Sequence, residues 1–125
     1  MITFALMALL QYGSCQASPD RSRTAEVAVD GFLEGWEKRD ASPMMWVVRR
    51  GATFTVDGTS YTDRDFYDAL EADTSQLQNL VILGLAKTES RIAVATRFSG
   101  GPHPEALTVL TFSQGCITGV AVHHD

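Results

Sequence analysis

The chain ends in Gly-Val-Ala-Val-His-His-Asp, residues 119–125, which sets two imidazoles beside a carboxylate. Such a cluster suits either metal binding or proton transfer. Spacing separates the two. In a β-strand successive side chains face opposite ways. Ile117, Gly119, Ala121, His123 and Asp125 would share one face, and Thr118, Val120, Val122 and His124 the other. Neighbouring histidines on a regular strand cannot hold one ion together, so no metal site is expected. His124 lies on the Val120/Val122 face and is the first candidate for proton transfer, because imidazole as a type exchanges protons near neutral pH. The plain alternative is a solvated histidine at a frayed chain end. Asp57, in Val-Asp-Gly-Thr, is the second candidate base, although it also suits the turn of a hairpin. Nothing in the spacing establishes that His124 meets either Asp57 or Asp40. His103, in Gly-Pro-His-Pro, reads as a loop or rim residue.

These residues need elements to position them. The chain has 125 residues, 45% hydrophobic and 20% charged, enough for one domain with a real core. Its net charge of -5 and lack of a Lys/Arg cluster argue against nucleic acid. The densest basic spot, Arg49-Arg50, reads as the C-terminal end of a helix. There is no apolar run of about 20 residues to span a membrane.

Residues 1–17 stand apart from the domain at 18–125. Met-Ile-Thr-Phe-Ala-Leu-Met-Ala-Leu-Leu resembles the apolar core of a secretory signal. Three readings are open: lipidation of Cys15 after Tyr-Gly-Ser, cleavage at Cys15–Ala17, or an apolar N-terminal helix or misplaced start. The first two imply export, periplasmic or lipid-anchored, and the last a cytoplasmic chain. Contact with a membrane would come only through a lipid on Cys15. Cys15 and Cys116 lack metal-type spacing and suggest no disulfide framework.

A helix is expected over about residues 18–40, started by Ser18-Pro19. Val29, Phe32, Leu33 and Trp36 form its buried face, and Gly31 and Gly35 allow close packing. Ser42-Pro43 predicts the start of a short second helix. Phe54 and Val56 alternate with Thr53 and Thr55 as a strand, Asp57-Gly58 is a turn, and Thr62 caps a third helix with Phe66, Ala69 and Leu70 inward. Four strands follow, at about 78–87, 91–99, 105–113 and 116–125. The fold class is α+β: about three helices on a strongly curved, mostly antiparallel sheet.

In this order, three stretches resemble the NTF2-like superfamily, which includes SnoaL-like proteins and ketosteroid isomerases. They are Gly-Phe-Leu-Glu-Gly-Trp-Glu-Lys-Arg-Asp (31–40), the segment 52–70, and the closing hairpin 112–125. The resemblance covers about residues 20–125. It implies a cone with an apolar pocket for a small hydrophobic molecule, and a homodimer through the outer sheet face, where Arg97 would lie. No cofactor is implied. The implied walls are Phe32, Trp36, Trp46, Phe54, Val56, Phe66, Val94, Thr96, Phe98, Thr108, Leu110, Val120 and Val122, a set that would equally make a filled core. The isomerases' catalytic Tyr and two Asp fall on Phe32, Val56 and Thr108, so steroid isomerisation is not expected. Asp63-Arg64-Asp65 spells the Asp-Arg-Asp grouping of an epoxide-hydrolysing branch. Three consecutive residues on a first helical turn, however, read as a helix start. Two functions follow: a non-catalytic binding module, or a SnoaL-like isomerase, cyclase or hydrolase using His124 or Asp57 as base.

Overall fold

A computed structural model describes Cys15 and residues 25–73, 80–97 and 105–124. Ser18-Pro19, Phe98, His103 and Asp125 therefore lie outside the described residues. Helix α1, Ala25–Lys38, buries Ala28, Val29, Phe32, Leu33, Gly35 and Trp36, the spacing expected of one apolar stripe. It ends at Arg39, which takes a left-handed φ of 54°. The chain then turns sharply back. A Cβ on Gly35 would stand 2.7 Å from the Asp40 carbonyl oxygen, so only glycine fits this corner.

Helix α2, Ala41–Met45, starts earlier than Ser42-Pro43 suggested. Asp40 is extended and its carboxylate accepts from the Ser42 N–H at 3.0 Å, so the acid rather than the hydroxyl caps the helix. The helix also stops at Met45. Arg49 and Arg50, expected at a helix C-terminus, are instead exposed on strand β1, Val48–Val56. Asp57 and Gly58, both with positive φ, turn β1 into β2, Thr59–Tyr61. Helix α3, Asp63–Ala72, begins under Thr62, whose hydroxyl accepts from the Asp65 N–H. Asp63 and Asp65 thus occupy its first turn, as the helix-start reading held.

Strands β3 (Val81–Lys87), β4 (Arg91–Arg97), β5 (Glu105–Ser113) and β6 (Cys116–His124) complete a six-stranded sheet, ordered β2-β1-β6-β5-β4-β3. Among the paired strands described, only β1 and β6 are parallel. The register shifts in three of the pairings, and such bulges bend a sheet. The sheet is strongly curled.

Register places the inward side chains in cross-strand rows. Phe54, Val120, Leu110 and Ile92 form one, and Val56, Val122, Thr108 and Val94 the next. His124, Ala106 and Thr96 form the third, beyond which β3 adds Ile82. Phe32, Met44, Phe54, Leu110 and Val122 are fully buried between helices and sheet.

Cys15 and Cys116 form a disulfide, contrary to the expectation of no cystine. The pair is 101 residues apart in sequence but only 5.8 Å apart between Cα atoms, because Cys15 docks beside the start of β1. Sequence spacing carried no sign of that approach.

Candidate functional site

The two candidate bases meet. β1 and β6 run parallel with Val56 opposite Val122, so the turn after β1 arrives beside the end of β6. The Asp57 N–H donates to the Val122 carbonyl at 2.8 Å. The left-handed backbone of Asp57 then aims its carboxylate along His124. Oδ1 accepts the His124 backbone N–H at 2.8 Å, and Oδ2 lies 2.9 Å from Nδ1 of the ring. A carboxylate only accepts, so Nδ1 carries the proton and the imidazole is held by two contacts. A third group would then meet the ring at Nε2. The Asp57 side chain is 51% exposed and that of His124 23%, which places the pair at the rim.

Most of the predicted wall residues are core. Phe32, Trp36, Phe54, Phe66, Val94, Leu110, Val120 and Val122 are buried in one cluster. Phe54 stacks on Phe66 with ring centres 4.5 Å apart, and Phe32 meets Trp36 edge to face at 5.5 Å. Val56 packs against the cluster and is partly buried. Thr96 and Thr108 are the buried polar side chains among the described residues, and Thr96 Oγ1 donates weakly to the Ala106 carbonyl at 3.5 Å. Trp46 lies outside this cluster: it is 48% exposed at the C-cap of α2.

Two features went unread in the sequence. Ile82 and Leu85 sit on the inward face, opposite Thr96 and Val94, yet each remains about half exposed. They form an apolar lip on the edge strand. Their continuous apolar run masked which of them faced inward. The second feature is an open cleft of about 420 Å³ between α2, β1 and α3, lined by Ser42, Met45, Arg50, Asp63, Tyr67 and Glu71 among others. None of the predicted wall residues lines it. Asp63 and Glu71 there accept backbone N–H groups of Gly51 and Ala41. Burial first, and the Asp63 charge second, push the Tyr67 phenol above its ordinary range, so it stays a neutral donor. No three metal-type side chains converge among the described residues.

The curled six-stranded sheet with its three helices matches solved structures. A ketosteroid isomerase-like protein of Kribbella flavida superposes with a TM-score of 0.69 at 13% identity, covering 85% of this chain and 78% of its own. An NTF2-like protein of unknown function from Cytophaga hutchinsonii gives 0.66 at 13%, covering 83% and 92%. The fold is NTF2-like.

An LEH-like epoxide hydrolase of M. tuberculosis shares the NTF2-like fold, with a TM-score of 0.61 and 15% identity over 78% of this chain and 80% of that one. No protein-family model and no curated protein matches the sequence. At these identities the likeness concerns the fold, and function rests on the site. Phe32, Val56 and Thr108, the positions that the resemblance assigned to the isomerases' catalytic groups, carry no carboxylate.

Proposed function

We propose that the chain binds a small, mainly apolar molecule at the open end of the cone and moves a proton on it with the Asp57–His124 pair. The observation that carries this reading is the double contact of one carboxylate with both the backbone and Nδ1 of His124. A carboxylate that fixes the orientation and tautomer of an imidazole is a general-base arrangement. Ile82 and Leu85 offer apolar surface for the body of the molecule. The Thr96 hydroxyl lies in the same row as His124, two strand spacings or about 10 Å away along the backbone. A one- or two-ring molecule bridges that span. The matching reactions are proton abstraction beside a carbonyl, and loss of water from a β-hydroxy carbonyl.

Deuterium exchange at the α-carbon of small cyclic ketones, followed by NMR, tests the proton step directly. Exchange above the buffer rate is expected, falling about 10²–10⁴-fold in His124→Gln. Exchange equal in the two proteins would sink the catalytic reading.

A second reading, ligand carriage without chemistry, is favoured by the buried inner face, where only Thr96 and Thr108 are polar among the described residues. Native mass spectrometry separates the two: a co-purified ligand on a chain inert in exchange supports carriage.

The outer sheet face supports self-association through a two-fold. Val81 and Leu107 are half exposed there, and Arg97 pairs with Glu105 across the strands. A two-fold copy can set each charge against its opposite. Sedimentation should show a dimer that Arg97→Glu converts to monomer; a monomeric wild type would exclude this interface.

A further inference from the structure

Cys15 is buried, its N–H donates to the Val48 carbonyl at 3.1 Å, and it forms a parallel bridge with Arg49. Its sulfur is bonded to that of Cys116, which is also fully buried, between Gly115 and Ile117. We propose that this bond is the mature fate of Cys15. The exported protein keeps Cys15, carries no lipid on it, and is cut, if at all, before residue 15.

Three arguments lead there. A sulfur in a disulfide has no bond left for a thioether lipid, so lipidation and pairing exclude each other. Cleavage after Ala17 would remove Cys15, leave a buried thiol at Cys116, and take away the residue bridged to β1. Both sulfurs are shielded, so the pair is placed for structure rather than for redox exchange. Buried pairs that close long loops persist in oxidising compartments, whereas cytosolic thiols are kept reduced. Export thus follows from the tertiary contact, independently of the apolar run at residues 2–10.

The chemistry needs an oxidant, namely a dithiol oxidoreductase in its disulfide form. One cysteine thiolate attacks that disulfide and forms a mixed disulfide. The second thiolate displaces it, closing Cys15–Cys116. The oxidant leaves as a dithiol and takes up the two thiol protons.

The test is the intact mass of the full chain, expressed from Met1 and recovered from the envelope of a bacterial host. It is alkylated in denaturant, with and without prior reduction, and the N-terminal residue is read. The expected chain begins at or before Cys15, bears no acyl mass, and takes up two alkyl groups only after reduction. An acylated Cys15, an N-terminus at residue 16 or later, or two thiols alkylated without reduction would each overturn the proposal. A Cys15→Ser chain should show one alkylated thiol without reduction, and none would equally count against the pairing.

Discussion

The two ends of the β1–β6 pair are built on opposite principles. Where both strands begin, Val48, Ile117 and Cys116 are almost wholly buried and a covalent bond holds Cys15 in place. Where they end, a half-exposed Asp57 and a partly exposed His124 are joined only by hydrogen bonds. One end gains stability from burial and a crosslink. The other leaves polar groups in contact with solvent, where a bound molecule can reach them. The same parallel pairing thus carries stability at one end and candidate chemistry at the other.

Breaking the crosslink should show the largest effect. Replacing both cysteines by serine opens a loop of 101 residues, and the loss expected from chain entropy is roughly 4–5 kcal/mol. A urea midpoint unchanged by the double replacement would mean that the closed end does not depend on the bond. Next comes Gly35→Ala, beside the turn into α2. Its new Cβ meets backbone at 2.7 Å, so a loss of about 1–3 kcal/mol is expected by chemical denaturation.

Asp57→Asn sharpens the contrast. Asparagine accepts the left-handed backbone and keeps one acceptor, so stability should fall by only about 1 kcal/mol. Proton exchange on a bound ketone should fall far more, since an amide donates as well as accepts and no longer fixes the ring tautomer. Equal losses in stability and exchange would assign the pair to structure alone.

The smallest effect concerns pH. The Tyr67 phenol is raised in the folded chain, by burial first and by the Asp63 charge second. Its contribution to stability is complete below its unfolded value, near 10, and is lost as pH rises from there toward the folded value. The wild type should therefore lose stability above about pH 10 more steeply than Tyr67→Phe does, in denaturation midpoints taken at successive pH values. Parallel curves would leave Tyr67 without a role in that slope.

Much of this was legible locally. The stripe Val29, Phe32, Leu33 and Trp36, the Asp57-Gly58 turn and the Thr62 cap each depend on residues within a few positions of one another, and all appear in the fold. Misreadings arose where two local signals competed. Ser42-Pro43 looked like a helix start, but Asp40 had already capped the helix.

The element order, the buried face of α1, the turn and the alternation that aims His124 inward were already set by neighbouring residues, because steric and hydrogen-bond preferences act over one or two turns of chain; Ala69, expected inward on α3, is exposed. The contact proposed for function and the crosslink were decided by the folded sheet. Asp57 and His124 are 67 residues apart, and Cys15 and Cys116 are 101. Both pairs come together because β6 aligns with β1 in parallel. That register is selected by burying Phe54, Val120 and Val122 against the helices all at once, and it is written in no short stretch of the chain.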